Sequence, residues 1–210
     1  MPYDFKKETL YRAGDRPEIV TVPPANYVAV RGRGDPNTTD GAYQRALAVL
    51  YALAYTLKTS PRKGKAIPGF FDYVVPPLEG FWRQEGVDGA DYGRKADFHW
   101  ISILRLPAFV TEADFAWAVE GAARRKKLDC SAAELLTVEE GLCVQMLHTG
   151  PFETEPETVN VMDAFLAENG YVNDLTDRRL HHEIHLTDAR KTTPDRWRTI
   201  LRHPVRKISS

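Results

Sequence analysis

The chain has 210 residues, 43% hydrophobic and 27% charged, with 28 basic side chains against 29 acidic ones for a formal net charge of −1. That length buries a substantial core in one large domain or two small ones, while the balanced charge leaves no electrostatic footprint for nucleic acid or an anionic membrane surface. Two cysteines, Cys130 and Cys143, make neither a disulfide framework nor a zinc spacing.

The first 16 residues alternate charged and polar side chains without the apolar core of a signal peptide. No run approaches the ~18–20 apolar residues of a membrane span, so the expected location is the cytoplasm. Residues 18–33 read as a strand, carrying Val20, Val22, Tyr27, Val28 and Val30 and broken at Pro23-Pro24. Gly32 and Gly34 with Asp35-Pro36 close it with turn chemistry; a third glycine and an immediate helix start are missing, so this is no dinucleotide fingerprint.

A helix capped by Thr39 or Asp40 is expected to run to Lys58, with Tyr43, Leu47, Leu50, Ala54 and Leu57 at helical spacing. Val49 and Leu53 widen its apolar stripe, as for a helix lying across a sheet. Two strands are expected at 70–75 and 98–106, joined through the Pro76-Pro77 linker with its Glu79, Phe81 and Trp82. Residues 88–97, rich in glycine and charge, read as an exposed mobile loop. Thr111 with Asp114 resembles a capping box for a helix ending near Arg124 to Lys127. Beyond it a hairpin is expected, 135–138 with 142–147, turning at Glu139-Glu140-Gly141. Thr154-Glu155-Pro156-Glu157 opens another helix, with Val159, Met162, Phe165 and Leu166 on its apolar stripe and Asn169-Gly170 as its stop.

The most chemical stretch follows, His181-His182-Glu183-Ile184-His185-Leu186-Thr187. As a strand it puts His181, Glu183, His185 and Thr187 on one face and His182, Ile184 and Leu186 on the other. The chain ends in a strand over 200–207. Strand, helix, strand, strand thus occurs twice, and two such units side by side give a mixed or antiparallel sheet with helices on one face and an open face for a ligand. The expected fold is α+β, tandem βαββ units with pseudo-two-fold symmetry, the first over about 18–107 and the second over about 134–207 of a single domain. If Ile184 and Leu186 pack under the helices, Glu183, His181 and His185 face the open side. There they would meet Tyr73, Glu79, Phe81 and Trp82 of the first unit in an aromatic groove holding an acid.

His181, Glu183 and His185 do not make a metal triad on one strand, since positions i and i+4 lie ~13 Å apart along it, and no resident metal or cofactor is expected; haem would rest on spare histidines alone. No nucleophile elbow or serine or cysteine triad is present. A carboxylate in an aromatic pocket pairs with a cationic or planar ligand, or activates water as a general base.

Taken together, Pro77-Leu78-Glu79-Gly80-Phe81-Trp82, Gly150-Pro151-Phe152 with Glu155-Pro156, Asn169-Gly170-Tyr171, His181-His182-Glu183-Ile184 with Thr187-Asp188-Ala189-Arg190-Lys191, and Thr199 to Val205 resemble the GyrI-like small-molecule-binding proteins over nearly the whole chain. The likeness is strongest to the stand-alone branch without a DNA-binding domain, which includes hydrolases that open the strained cyclopropane of DNA-alkylating cyclopropanoid antibiotics. Related effector-binding domains of multidrug-sensing regulators meet cationic aromatic drugs with a buried glutamate. The resemblance implies Glu183 as that acid, with Trp82 among the aromatic walls; Trp100, Phe152 and Tyr171 are further expected ligand-binding side chains. The family often has tyrosine where this chain has Phe152 and His185, and His185 offers a replacement donor or proton carrier. The expected partner is a hydrophobic or cationic aromatic small molecule, without nucleic acid or membrane. The resemblance leaves gyrase open as a protein partner, and monomer or homodimer as the assembly.

Overall fold

A computed structural model describes residues 1–87 and 91–208. Nine strands form one antiparallel sheet: β1 (Glu18–Val22), β2 (Ala25–Arg33), β3 (Leu78–Arg83), β4 (His99–Leu106), β5 (Ala133–Val138), β6 (Gly141–Thr149), β7 (Tyr171–Asn173), β8 (His181–His185) and β9 (Arg198–Lys207). Three α-helices join them among the described residues: α1 (Ala42–Lys58), α2 (Glu112–Lys126) and α3 (Glu155–Glu168). The strand order is β1-β6-β9-β8-β3-β4-β2-β5, with β7 pairing β9 off that path.

Exchanging β1 for β5, β2 for β6, β3 for β8 and β4 for β9 gives the same order read from the other end, so the two βαββ units meet at the central pair β8 and β3. The strand preceding each unit crosses to the outer edge of the other. β1 pairs with β6, and β5 pairs with β2. The expected hairpin between 135–138 and 142–147 therefore does not form. Gly141 takes the left-handed turn conformation (φ +66°) that Glu139-Glu140-Gly141 promised, but the strands it separates leave for opposite edges of the sheet.

The third strand also lies elsewhere than at 70–75. Pro76 and Pro77 lack the donors that would continue that segment as a strand, and its backbone pairs instead with the N-terminus, Tyr3 N–H to Asp72 O at 2.8 Å and Val74 N–H to Tyr3 O at 2.7 Å. The strand proper is β3, inside what read as linker. Of the segment read as a loop over 88–97, residues 88–90 lie outside the described residues, and Tyr92–Asp97 forms a short 3-10 helix.

α1 lies across β2 and β4 as its stripe predicts. Leu50, Leu53 and Leu57 are fully buried against Val28, Leu104 and Trp100, each stabilising the fold by ~1.5–3 kcal/mol of apolar burial. α2 begins in the expected capping box: the Thr111 hydroxyl accepts from Asp114 N–H at 3.3 Å, and the Asp114 carboxylate accepts from Thr111 N–H at 3.2 Å. α3 packs Met162 and Leu166 on Val144, Leu201 and Val205. On the other face of the sheet the N-terminal segment lays Phe5 and Tyr11 over Ile184 and Ile200, with Tyr73 beside them.

That arrangement corrects one expectation. Leu201 pairs with Glu183 across β9 and β8, and Trp82 pairs with His181 across β3 and β8, so these side chains share a face. Leu201 packs under α3 and Trp82 under α1. Glu183 therefore faces the helices, at the seam between them. Ile184 and Leu186 find their apolar cover in the N-terminal segment instead.

Candidate functional site

The site is built where the two units meet. Gly80 of β3 stands opposite Glu183 of β8, and its missing side chain is used: a Cβ there would lie 2.8 Å from Trp82 Nε1. The indole thus folds over Gly80, beside Glu183. Tyr43 of α1 packs on Trp82 at 5.6 Å and edge-on to Trp100 at 5.1 Å, and Trp100 fills the space above Gly32.

Glu183 is 7% exposed. His181 Nε2 lies 3.2 Å from its Oε1 and His185 Nε2 3.5 Å from its Oε2. Behind His181, its Nδ1 meets His203 Nε2 at 2.6 Å. From the first turn of α3 comes Glu155, 2% exposed, whose Oε2 accepts from the Tyr92 hydroxyl at 2.7 Å and whose carboxyl meets that of Glu183. Glu155, His181 and Glu183 bring one ligand-capable atom each to within 4.8 Å of one another.

The electrostatics divide the two acids. Burial and the neighbouring Glu183 charge push the Glu155 carboxyl well above the usual carboxylate range. Burial also pushes Glu183 upward, but His181, His185 and the hydrogen bond with Glu155 outweigh it and hold Glu183 below its ordinary value. A neutral Glu155 beside an ionised Glu183 is the result, the usual outcome when two carboxyls share a site. Burial pushes His185 down despite the Glu183 charge, and burial with His181 holds His203 at about 3. Several buried polar atoms here have no hydrogen-bond partner: Glu155 Oε1, His185 Nε2, Trp82 Nε1 and Trp100 Nε1.

Of the side chains singled out in the sequence, the structure gathers Glu183, His181, His185, Trp82 and Trp100 on the helix-bearing face. Phe152, in the turn before α3, reaches His185 edge-on at 5.4 Å and stacks on Trp197 at 4.6 Å. Four others lie away. Glu79 and Phe81 alternate with Gly80 and Trp82 and so point through the sheet, Phe81 onto His182 at 4.3 Å. Tyr73 is buried with Phe5 under the N-terminal segment, on that same far side. Tyr171 pairs with Lys207 at the far end of β9, six positions beyond the Leu201 that faces Glu183.

The far face holds a second charged system. His182 Nδ1 lies 2.9 Å from Glu140 and its Nε2 3.1 Å from Glu79. Arg202 reaches Glu140 at 2.9 Å and Gln145 at 2.8 Å, while the Tyr11 hydroxyl donates to Glu79 at 2.6 Å. Burial works against a charged His182, yet Glu140 and Glu79 raise it to about 9. Glu140 is in turn held at about 2, His182 and Arg202 outweighing its burial.

Three participants escaped the sequence. Glu155 read as an ordinary acid at a helix start, Tyr92 sat in a polar segment, and His203 belonged to the last strand. Alternation along β9 carried a signal for His203: it shares a face with Leu201, and so with Glu183.

Comparisons with known proteins agree with this architecture. An uncharacterized conserved protein from Listeria innocua is 45% identical, with a TM-score of 0.90 over 97% of this chain and 100% of that one. A hydrolase from Listeria innocua is 43% identical, with a TM-score of 0.88 over the same shares. The EcmrR C-terminal domain, 12% identical over 92% of this chain and 98% of that one with a TM-score of 0.55, is alike in fold alone. No curated protein matches the chain. Among the described residues no helix is long and apolar enough to cross a membrane. The model for the GyrI-like small molecule binding domain matches residues 15–206, and the chain belongs to that family.

Proposed function

We propose that the seam between the two units binds a flat, hydrophobic small molecule, cationic or electrophilic, with Glu183 as its central acid, and adds water to an electrophilic cyclopropane-type compound. One observation carries this reading: a carboxylate only 7% exposed at the seam, with unpartnered polar atoms of Glu155, His185, Trp82 and Trp100 around it. Buried polar atoms without partners are costly, and a ligand or substrate water at the seam supplies partners for them. Trp82 and Tyr43 provide faces on which an aromatic ligand stacks.

In the hydrolytic step Glu183 accepts a proton from water as the water oxygen bonds to a ring carbon. The strained carbon–carbon bond breaks, and its electron pair passes into the conjugated part of the substrate, which takes up a proton in turn. Packing by Trp82, Phe152 and Tyr43 keeps bulk water from quenching the charge. His181 orients the carboxylate through its 3.2 Å contact. Support comes from family membership and from the relative, 43% identical, that is described as a hydrolase. Self-protection against a toxic natural product is the corresponding biological role.

The test is incubation with a cyclopropanoid compound, following ring opening by mass spectrometry as the gain of one water. Turnover is expected, falling by about 100-fold or more in Glu183→Gln, the scale of a lost general base. Unchanged turnover in that variant removes Glu183 from the mechanism. A binding-only reading draws on Phe152 and His185, which stand where the family resemblance brings tyrosines; it predicts stoichiometric quenching of tryptophan fluorescence by rhodamine dyes with no product formed.

A further inference from the structure

We infer that Glu155, His181 and Glu183 form a binding site for one divalent transition-metal cation of the zinc class at the seam between the two units. Strand β8 alone does not make such a site, because His181 and His185 lie too far apart along it to converge on one ion. The third ligand comes from a different element, the first turn of α3.

Three features of the geometry carry the inference. The three ligand atoms already lie within 4.8 Å of one another; zinc with ligands at ~2.0–2.2 Å holds them roughly 3.5 Å apart, so closure requires side-chain movements on the order of 1 Å. Glu155 is buried, 2% exposed, and its Oε1 has no hydrogen-bond partner. Two of the three ligands are also braced from behind. Tyr92 donates to the other oxygen of Glu155 at 2.7 Å, and His203 holds the far nitrogen of His181 at 2.6 Å, leaving His181 Nε2 directed at Glu183. Metal-bound imidazoles and carboxylates depend on such outer partners for orientation.

The donor set selects the ion. Two carboxylates and an imidazole suit zinc and its first-row neighbours, whereas calcium takes six to eight oxygens, more than this site presents. A divalent ion balances the charge of two carboxylates. It also occupies the Glu183 oxygens that the proposed hydrolysis needs. Inhibition by zinc therefore rests on the proposed function, while metal binding itself does not.

The experiment is a titration of chelator-stripped full-length protein, with no organic ligand present. Cobalt(II) is followed by its visible absorption and zinc by calorimetry. The expected result is one ion per chain, with affinity reduced at least about 10-fold in Glu155→Gln and again in His203→Gln, a range typical of lost inner and outer partners. Near-UV circular dichroism checks that both variants keep the native packing. Two results overturn the inference: no cobalt absorption and no heat with zinc up to millimolar concentration, or a titration unchanged in Glu155→Gln, which assigns the signal to an adventitious ion only. Because no substrate enters the titration, a protein that binds metal without opening a cyclopropane defeats the hydrolytic reading alone, and one that hydrolyses without binding metal defeats this one alone.

Discussion

Strand β8 carries two buried charged systems back to back, separated by the thickness of the sheet. On the far face Glu79 and Glu140 meet His182 and Arg202, two negative charges against two positive ones, each acid within 3.1 Å of a basic partner. On the helix face two acids, Glu183 and Glu155, meet His181, 3.2 Å from Glu183, while burial lowers His185 and His203. Both systems are desolvated by the same fold, so burial does not distinguish them. What differs is closure of the charge balance. A balanced cluster locks the N-terminal segment onto the sheet through Tyr11 and the Arg202 bond to Leu10 O at 2.7 Å. The proposed role of the unbalanced one is to be completed by a ligand.

The largest effect expected from breaking this contrast is on stability. Arg202→Met strands Glu140 and Glu79 with only His182, and removing one partner of a buried pair costs ~3–5 kcal/mol. Glu183→Gln keeps a hydrogen-bonding oxygen for His181 and relieves the approach of two carboxyls, so it is expected to leave stability within about 1 kcal/mol or to raise it. Urea unfolding of both variants measures the difference directly. Equal losses in the two would show that the faces are energetically alike.

The pH dependence sharpens the same comparison. His182 is raised from 6.5 to about 9 in the folded protein, so its contribution is complete below pH 6.5 and is lost as pH rises through 9. Glu140 is lowered from 4.5 to about 2, so its contribution is complete above pH 4.5 and is lost as pH falls through 2. Stability from this cluster should form a plateau between those limits, with an alkaline decline on the order of a few kcal/mol. Urea midpoints at pH 5.5, 7.5 and 9.5 follow it, and a flat profile that matches His182→Gln would mean the imidazole is not charged.

How much of this was legible depends on which physical signal each element carries. The period of α1 and the Thr111 to Asp114 box are local, and both were readable. Alternation along β8 separated His181, Glu183 and His185 from His182 and Ile184, but alternation does not say which face receives the helices. Ile184 and Leu186 are apolar, yet their cover is Phe5 and Tyr11, from a segment whose charged residues masked two buried aromatics. The exchange of β1 and β5 between units was likewise hidden, because Gly141 carries an ordinary turn signal whether or not its strands stay together. Glu155 was visible only as a helix-start acid. Its meeting with Glu183 is set by how the two units pack, which no local spacing encodes.

Gly80→Ala tests the seam more gently. The new methyl would sit 2.8 Å from Trp82 Nε1, and such overpacking costs ~1–3 kcal/mol where the neighbour gives way. Here the neighbour is the indole beside Glu183. The expected result is ligand affinity weakened by roughly 10-fold, about 1.4 kcal/mol, with altered tryptophan emission, read by fluorescence titration with a rhodamine dye. Unaltered emission would mean that the indole does not lie over Gly80.

The smallest and most discriminating prediction uses two tyrosines as a matched pair. Tyr11 donates to Glu79 at 2.6 Å on the balanced face, and Tyr92 donates to Glu155 at 2.7 Å on the unbalanced one. Replacing either by phenylalanine removes one hydroxyl and costs about 1 kcal/mol, a fall of roughly 2–4 °C in Tm for a chain of this size. The two should part in function. Without Tyr11, Glu79 still faces His182 across the sheet, so ligand binding at the seam stays unchanged. Without Tyr92, the Glu155 carboxyl loses its anchor, the proton shared with Glu183 shifts between them, and the pH profile of ligand binding moves while that of Tyr11→Phe coincides with the parent. If both profiles move together, the two faces of β8 are coupled through the strand, and the separation of a structural from a ligand-directed charge cluster fails.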